Sequence, residues 1–355
     1  MNQLQALTIP LLMWYREHAR VLPWRNDPTP YRVWISEIML QQTRVAAVLG
    51  YYQRFMDELP TVSDLAEIPE DELMKLWQGL GYYSRARNLQ KAARQIIEKH
   101  GGQFPSEYEK IRALSGVGDY TAGAISSIAF GLPKPAVDGN VLRVVSRITG
   151  DDGDITAPAT KKRVTAILEE IIPVDSPGEY NQAMMELGAT VCLPNGAPVC
   201  SQCPAQEFCI ARLENRTEEL PVKAVKKARK VEERLVYLIF RENWVALRRR
   251  PDKGLLAGLW EYPNELADSQ AWKTWRIQEQ ERQYAGKGRH IFTHIEWHMN
   301  AVAIEAAEDT LPEGWVWADR QELLRQYAIP NAFRAFEGRV LTRLNLPGEE
   351  EYHEM

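Results

Sequence analysis

All four cysteines of the 355-residue chain fall in one short segment, as Cys192, Cys200, Cys203 and Cys209. Four thiolates this close in sequence can hold an iron–sulfur cluster of the [4Fe–4S] type or a structural zinc ion. The uneven spacing, Cys-x7-Cys-x2-Cys-x5-Cys, lacks the two paired knuckles common in zinc ribbons and therefore favours the cluster. Disulfides are disfavoured, because clustered cysteines in an intracellular chain indicate a metal or cluster site.

Two carboxylates stand in surroundings that could suit them to acid–base chemistry. Glu37 lies in an apolar run, residues 34–40, where loss of hydration would raise its pKa and let it act as a general acid. Asp138 lies between Pro135 and Gly139 at the start of a predicted helix. The alternatives are structural: Glu37 on the exposed face of an amphipathic helix, and Asp138 as an ordinary N-cap worth about 1 kcal/mol. From the residues alone, these structural alternatives are favoured.

A Gly-x-Gly sequence, Gly116 and Gly118, lies between two predicted helices. Glycines permit a sharp turn and a close approach of the backbone to another group. Backbone N–H groups at the start of the following helix can bind an anion, and a DNA phosphate would be bound there without sequence preference. An ordinary helix–helix turn is the alternative.

The net charge of −5 argues weakly against a nucleic-acid-binding protein. Whole-chain charge is a blunt measure, however, because a basic face on one domain is enough. Each basic cluster in the sequence is either such a face or simply a solvated helix face or linker. The clusters are Arg85, Arg87, Lys91 and Arg94; Lys223, Lys226, Lys227, Arg229 and Lys230; and Arg248, Arg249 and Arg250.

Membrane insertion and secretion are both disfavoured. The chain has no uncharged apolar run of about 18 residues, which a transmembrane helix needs. The apolar start, residues 6–15, is short, is broken by Pro10 and lacks a leading Lys or Arg, unlike a secretory signal. We therefore expect an intracellular protein, cytoplasmic in a bacterial-type cell, that does not bind membranes.

At least two domains are expected to position these residues, since the chain is long for one domain and 45% of it is apolar. The part up to residue 213 is predicted to be almost wholly helical. Ser106 and Glu109 fit a capping box that would open one of its helices. Further helices are expected at 70–77, 83–100, 121–130, 140–148, 160–172 and 179–191.

The composition changes after residue 213. A polar and then strongly basic stretch, 214–234, is predicted to be an interdomain linker. The rest, 235–355, is predicted to be a separate α/β domain. Its expected strands are 235–240, 244–249, 259–263 and a longer one at 291–303, with helices at 320–327 and 331–343.

In this order along the chain, the Glu37 segment, the Gly-x-Gly turn, Asp138 and the four cysteines resemble the helix-hairpin-helix DNA glycosylase superfamily. Residues 36–43 (Ser-Glu-Ile-Met-Leu-Gln-Gln-Thr) and 79–87 (Gly-Leu-Gly-Tyr-Tyr-Ser-Arg-Ala-Arg) look like its adenine DNA glycosylase, or MutY-type, branch. The resemblance implies a multidomain protein, with an all-α glycosylase domain that carries a [4Fe–4S] cluster loop and an α/β Nudix-like C-terminal domain. It implies a helical barrel at 28–135, with the hairpin at 106–130, and a cluster domain formed by 1–27 and 136–213.

The resemblance further implies a base-excision repair hydrolase that cleaves the N-glycosidic bond of adenine mispaired with 8-oxoguanine or guanine in double-stranded DNA. Glu37 would protonate the flipped adenine, and Asp138 would stabilise an oxocarbenium-like sugar or trap it covalently. Tyr120 and Asn140 would support this pair. The expected protein is a monomer.

Other residues of the motifs would bind DNA by the same resemblance. An aromatic side chain inserted beside a flipped base replaces some of the lost base stacking. The residues so assigned are Trp24, Arg25 and Gln182 for the adenine pocket; Gln42 and Thr43 for the oxidised guanine; Tyr82 for the wedge, with Leu80 beside it; and Gly116 and Gly118 for DNA phosphate.

Position 120 separates branches of the superfamily. Endonuclease III-type enzymes carry a lysine there as the Schiff-base nucleophile, whereas this chain has Tyr120. Without that amine, β-elimination through an imine lacks its agent. The resemblance therefore implies a monofunctional glycosylase.

The C-terminal region resembles the Nudix-like recognition domain of the same family. Residues 264–284 lack the Arg-Glu-x-x-Glu-Glu pattern that a Nudix hydrolase needs for metal binding, so pyrophosphatase activity is disfavoured. Phe292, Thr293 and His294 look like the family's Phe-Ser-His loop, which senses oxidised guanine. Two departures are the threonine in place of serine and a gap between the first two cysteines that is one residue longer than usual.

Three other functions are weighed against this interpretation. A pyrimidine-lesion glycosylase of the endonuclease III type, with lyase activity, is opposed by Tyr120 and by the C-terminal region. A non-catalytic iron–sulfur DNA-binding protein would need Glu37 or Asp138 to be missing. A Nudix-type nucleotide hydrolase is opposed by the missing motif.

Overall fold

The computed structural model describes residues 3–224 and 228–345. Within them the chain divides into two compact units. The helical unit contains residues 3–67 and 87–224, and the sheet unit contains residues 68–86 and 228–345. Lys226 and Lys227 of the second basic cluster, and residues 346–355 of the predicted C-terminal domain, lie outside the described residues.

Helices follow one another along the chain up to residue 213, and all of them except α6 lie wholly or mainly in the helical unit. In chain order they are α1 (Gln3–His18), α2 (Pro23–Asn26), α3 (Pro30–Leu40), α4 (Val45–Glu58), α5 (Val62–Glu67), α6 (Glu70–Leu76), α7 (Ser84–His100), α8 (Tyr108–Arg112), α9 (Asp119–Phe130), α10 (Gly139–Thr149), α11 (Pro158–Ile171), α12 (Pro177–Thr190) and α13 (Ile210–Leu213).

One core of the helical unit forms where α1, α10, α11 and α12 pack together. Its buried side chains include Leu7, Val144, Leu168 and Leu187. Close approach of helices depends on small residues: a Cβ on Gly188 would lie 2.6 Å from the Cβ of Asn140. The core therefore fixes the start of α10, where Asp138 and Asn140 lie.

The helices predicted up to residue 213 are present with ends shifted by one or two residues, but the predicted capping box is wrong. Helix α8 begins at Tyr108 and its N-cap is Glu107, which makes no side-chain capping bond. Ser106 therefore lies one residue before the N-cap. The local Ser-x-x-Glu spacing was compatible with a cap, but the chain begins its helix one residue later.

The sheet unit is built on a seven-stranded sheet, whose main order is β3-β2-β1-β6-β5. Strand β4 pairs with β1 and β7 pairs with β2, while β1 and β6 run parallel. Helices α14 (Arg320–Arg325) and α15 (Arg334–Arg343) follow the strands. The strands are β1 (Lys230–Arg241), β2 (Trp244–Arg249), β3 (Trp260–Glu261), β4 (Asn264–Leu266), β5 (Glu279–Ile291), β6 (Ile295–Ala306) and β7 (Trp315–Ala318).

The predicted long strand at 291–303 is corrected to two strands. Strands β5 and β6 pair antiparallel, with Ile291 opposite Glu296, and residues 292–294 form the turn between them. Strand β5 lies at the edge of the sheet and its residues are mostly polar and exposed, so it lacks the alternating apolar pattern of a half-buried strand. For that reason the sequence did not indicate it.

Residues 68–86 pack within the sheet unit through polar contacts. Lys75 donates from Nζ to the backbone oxygens of Leu323 and Tyr327, each at 3.0 Å. Asn331 donates from Nδ2 to the backbone oxygen of Gly79, also at 3.0 Å. The Gly-Leu-Gly-Tyr motif at 79–82 is thus held close to the segment after α14. No described helix is long and apolar enough to cross a membrane.

Candidate active site

Glu37 is a buried carboxylate inside helix α3. Pro30 occupies the first turn of this helix, and the N-cap Thr29 accepts a hydrogen bond from the Arg32 backbone. The side chains of residues 33–39 are all buried, and Glu37 itself is 6% exposed. The surface-glutamate alternative is therefore excluded, because the helix has no exposed face at this point.

Burial raises the pKa of Glu37 to about 7. A hydrogen bond with Tyr120 opposes this rise, the charge of Asp138 adds to it, and the charge of Arg25 again opposes it. Desolvation dominates because a carboxylate loses its hydration in a buried position. Near neutral pH this carboxyl group can therefore both hold and release a proton, as a general acid must.

Tyr120 lies in the first turn of α9 and joins the carboxylate to α12. Its hydroxyl group donates a hydrogen bond to Glu37 Oε2 and also lies 3.3 Å from Met185 Sδ. Burial raises the pKa of Tyr120 well above its ordinary value, so the hydroxyl group stays protonated. The hydroxyl proton of Tyr120 thus has two possible acceptors, Glu37 Oε2 and Met185 Sδ.

Asp138 is the N-cap of α10 as well as a residue of the cavity. Its Oδ1 accepts a hydrogen bond from the Val141 backbone at 2.8 Å, and its Oδ2 accepts one from Asn140 Nδ2 at 2.7 Å. Burial raises its pKa, while these bonds from Val141 and Asn140 favour the ionised form. Arg143 in turn donates from Nη2 to Asn140 Oδ1 at 2.9 Å. The capping bond therefore fixes the carboxylate in one orientation, and the cap and cavity roles are compatible.

A cavity of about 890 Å³ in the helical unit brings nine of the predicted site residues together. Such a volume can accept a nucleobase with its sugar, since ligand pockets span about 300–1,000 Å³. The predicted residues that line it are Glu37, Asp138, Tyr120, Asn140, Trp24, Arg25, Gln42, Thr43 and Gln182. Gly116 and Gly118 do not line it, and Leu80, Tyr82, Phe292, Thr293 and His294 belong to the sheet unit.

The cavity wall also contains charged residues that the sequence analysis missed. Glu186 of α12 is 1% exposed and pairs with both Arg20 and Arg25. Lys161 and Arg44 line the cavity as well. The only local signal was a carboxylate among apolar residues at 183–187, the same signal that drew attention to Glu37.

The Gly-x-Gly turn has the geometry of a helix hairpin. Gly116 has a φ of +75°, and a Cβ at this position would lie 2.6 Å from the Cβ of Asn88. Gly118 is the N-cap of α9, and a Cβ there would meet open space. Gly116 is thus required by the turn itself, whereas Gly118 leaves room in front of the first N–H groups of α9.

The four cysteines line a second, small cavity of the helical unit. All are free thiols, and Arg147 donates from Nη1 to Cys192 Sγ at 3.3 Å. Among the described residues, no group of His, Cys, Asp or Glu is arranged to hold a metal ion. An iron–sulfur cluster differs from a single metal ion because its thiolate ligands bind different irons and need not converge on one point. Four thiols around one cavity, with the Arg147 guanidinium beside one sulfur, fit such a cluster.

The loop at 292–294, predicted to be the sensor, contacts the 79–87 motif within the sheet unit. Tyr82 has a φ of +47° and is 47% exposed, and its hydroxyl group lies 3.1 Å from Thr293 Oγ1. Phe292 packs on the buried Trp297, with ring centroids 4.9 Å apart. Leu80 is buried. Tyr82 and Thr293, the predicted wedge and the predicted sensor hydroxyl, are therefore neighbours within one unit.

Comparison with known families first defines the class. Residues 35–173 match the family model described as HhH-GPD superfamily base excision DNA repair protein, and residues 235–336 match the model of the NUDIX domain. The expected fold class, a helix-hairpin-helix domain followed by a Nudix-like domain, is confirmed.

The helical region also resembles solved structures. A thermostable thymine-DNA glycosylase has a TM-score of 0.55 and 27% identity, covering 60% of this chain and 97% of that one. A non-covalent endonuclease III–DNA complex has a TM-score of 0.51 and 27% identity, covering 60% and 98%.

The relatives then define the family. The chain is 35% identical to the adenine DNA glycosylase of Mus musculus, covering 92% of this chain and 77% of that protein. It is 34% identical to that of Homo sapiens, covering 92% and 73%, and 35% identical to that of Buchnera aphidicola subsp. Acyrthosiphon pisum, covering 83% and 85%. The chain belongs to the adenine DNA glycosylase family. It is a base-excision repair enzyme that acts on N-glycosyl bonds of DNA, and this family is consistent with an iron–sulfur cluster.

Proposed function

We propose that this enzyme is a monofunctional glycosylase that excises adenine mispaired with 8-oxoguanine or guanine. The observation that carries the proposal is the pairing of Glu37 with Tyr120 in the same cavity as Asp138. The cavity contains one carboxyl group able to hold a proton at neutral pH and a second one held in place by hydrogen bonds. This is the two-carboxylate arrangement of sugar hydrolysis.

Excision begins with a base that leaves the duplex. Adenine is stacked and paired in DNA, so the enzyme must rotate the nucleotide into the cavity at a cost of a few kcal/mol. Glu37 then donates its proton to N7 of the base, because adenine is a poor leaving group as an anion. The glycosidic electron pair stays with the departing base, and the sugar becomes oxocarbenium-like.

Asp138 acts on the sugar after this step. Its carboxylate stabilises the positive charge, or forms a covalent bond to C1′, and its orientation is maintained by Asn140. Glu37, now ionised, accepts a proton from the water that attacks C1′. Where Asp138 has formed a bond to C1′, this attack breaks it and releases the Asp138 carboxylate. Tyr120 donates a hydrogen bond to Glu37 and so stabilises the ionised form, which accepts this proton from water.

The rest of the cavity wall binds the base. Trp24, Arg25 and Gln182 are proposed to contact adenine, because an aromatic ring, a guanidinium and an amide together offer a stacking surface and hydrogen bonds. Gln42 and Thr43 are proposed to contact the base opposite. Support comes from their position in the wall of the same cavity.

The sheet unit is proposed to recognise 8-oxoguanine. Thr293 would be the sensor hydroxyl, with Phe292 and His294 beside it, and Tyr82 would be the inserted wedge with Leu80 behind it. The hydrogen bond between Tyr82 and Thr293 supports a shared role for the two motifs. Thr293 retains the hydroxyl group of the usual serine, and the added methyl group is accommodated at an exposed position.

The same proposal assigns no lyase reaction to the cavity. The position of the Schiff-base lysine is occupied by Tyr120, whose hydroxyl proton is engaged with Glu37 and Met185. Strand cleavage by β-elimination through an imine at this position is therefore not expected.

A [4Fe–4S] cluster is proposed to be held by Cys192, Cys200, Cys203 and Cys209. When bound, the cluster supplies four iron–thiolate bonds that fix this loop as a structural element. Arg147 donates to one of the sulfurs and to the backbone oxygen of Leu193 at 2.9 Å, so it links the loop to α10.

DNA is proposed to be held through its backbone by the hairpin at 106–130. The backbone N–H groups after Gly118, at the start of α9, would bind a phosphate. The domain limits are part of the proposal: a helical barrel at 28–135, a cluster domain at 1–27 and 136–213, and a recognition domain predicted from residue 235. The first strand of that domain, β1, begins at Lys230, so the predicted linker 214–234 ends before this residue. An intracellular location, as the substrate requires, and action as a monomer are also part of the proposal.

The test is Glu37→Gln, which keeps the size of the side chain and removes the acid. The variant is expected to bind a duplex containing adenine opposite 8-oxoguanine and to lose excision. Glu179→Gln, a surface change in α12, is the matched control and should behave as wild type. Normal turnover by the Glu37 variant would contradict the general-acid assignment.

A further inference from the structure

One buried carboxylate of the cavity wall has no part in the mechanism above. Glu186 accepts three hydrogen bonds from Arg20, from the backbone N at 3.1 Å, Nε at 2.6 Å and Nη2 at 2.8 Å. It accepts a fourth from Arg25 Nη2 at 2.8 Å. Arg25 also donates from Nη1 to the backbone oxygen of Arg20 at 2.9 Å, and its guanidinium lies 5.4 Å from the ring centre of Tyr15. The carboxylate thus fixes both guanidinium groups.

Glu186 is ionised at neutral pH, because its two arginine partners lower its pKa. Burial opposes its ionisation, but the hydrogen bonds from Arg20 and Arg25 outweigh burial and hold its pKa at about 2. A buried ion pair of this kind is costly to break from one side, because the remaining charge is left without compensation. Removal of the negative charge would therefore leave two cations at the cavity wall with no carboxylate between them.

Those cations matter because they share the cavity with the proposed acid. The positive charge of Arg25 favours the ionised form of Glu37, whereas excision needs the protonated form. A carboxylate paired with Arg25 offsets this effect. The other charged or titratable groups that line the cavity are Tyr120, Asp138, Arg20, Arg44 and Lys161.

We propose that Glu186 is a positioning residue for base excision: it fixes Arg25 at the cavity wall and partly compensates its charge near Glu37. It acts through Arg25 and does not touch the reacting atoms. The inference deepens the proposed function, since it rests on Glu37 as the general acid.

The experiment is the pH dependence of single-turnover excision by Glu186→Gln, which removes the charge and keeps the shape. The upper limb of the profile is the fall in rate at high pH, where Glu37 loses its proton. This limb is expected to move to lower pH by about half a unit, because the charge of Arg25 is then uncompensated and favours ionised Glu37. The rate ratio between wild type and variant should then be about 2.5-fold larger at pH 8 than at pH 6. A merely structural loss would lower the rate equally at both pH values.

The chain contains a matched control on the same two helices. Glu179 of α12 pairs with Arg16 of α1 through two hydrogen bonds of 2.8 Å and 2.7 Å, but this pair is at the surface. Glu179→Gln removes the same charge from the same kind of pair outside the cavity. It should leave the limb in place, and an equal shift in this control would contradict the proposal.

Two more variants separate a folding defect from the proposed role. Glu186→Asp keeps the charge and should keep the wild-type limb even if its rate is lower, so an acid shift there would contradict the proposal. In the Arg25→Gln background, Glu186→Gln should shift the limb by less than it does alone, because the cation that it compensates is absent.

The failures of the two proposals are distinguishable. A wild-type profile without an upper limb would refute the general-acid role of Glu37. A wild-type limb near pH 7 that Glu186→Gln leaves unmoved would refute the role of Glu186 alone.

Discussion

The pKa of Glu37 predicts how excision depends on pH. With a pKa of about 7, about half of the molecules hold the catalytic proton at pH 7, about nine-tenths at pH 6 and about one-tenth at pH 8. The single-turnover rate should therefore fall about tenfold between pH 6 and pH 8. A carboxyl group with an ordinary pKa of 4.5 would hold the proton in only about one molecule in 300 at pH 7.

The assay is single-turnover excision from a labelled duplex between pH 5.5 and 9, with enzyme in excess so that product release does not limit the rate. Tyr120→Phe provides an internal comparison, because it removes the hydrogen bond that lowers the pKa of Glu37. Its limb should lie at higher pH than that of wild type, whatever its absolute rate. A wild-type rate that is constant from pH 6 to pH 8.5, or that already falls above pH 5, would refute the reasoning.

Three further predictions concern stability, DNA binding and the cluster. Because the folded pKa of Glu37 is raised, its contribution to stability is fully present below pH 4.5 and is lost as the pH rises through about 7. At pH 8, Glu37→Gln should therefore unfold at a higher urea concentration than wild type, with a free energy of unfolding that is larger by at most about 3 kcal/mol. Equal free energies of unfolding at pH 8 would contradict the burial argument. Gly116→Ala should cost about 1–3 kcal/mol through its left-handed backbone and weaken DNA binding, while Gly118→Ala should cost less, as thermal unfolding would measure. The purified protein should be brown and contain iron, and Cys203→Ser should reduce both; a colourless, zinc-loaded preparation active as isolated would contradict the cluster.

Sequence reasoning identified the two carboxylates but could not decide between their roles. Helix α3 buries seven consecutive residues, 33–39, so it has no amphipathic period from which the burial of Glu37 could be read. The N-cap role of Asp138 was predicted and is correct. The cavity role is added to it because α10 packs against α12, and α12 and α3 both pack against α9. Only the tertiary structure shows whether an N-cap aspartate has a structural role alone or also lines a cavity.

The ion pairs of Glu186 with Arg20 and Arg25 could not be predicted from local sequence patterns. Its partners Arg20 and Arg25 are 166 and 161 residues away in sequence. Nothing in the spacing of α12 indicates them, because ion pairs between distant helices depend on packing. Strand β5 was missed for a different reason, since its exposed polar residues carry no hydrophobic period.

The most direct test of the whole account is excision on a duplex that contains one labelled adenine opposite 8-oxoguanine, analysed with and without alkali after the reaction. The account predicts cleavage of the adenine strand only after alkali, because base removal leaves an abasic site and no lysine is present at position 120 to open it. Cleavage without alkali would contradict the monofunctional mechanism. Tight binding with no cleavage under either condition would contradict the catalytic roles of Glu37 and Asp138.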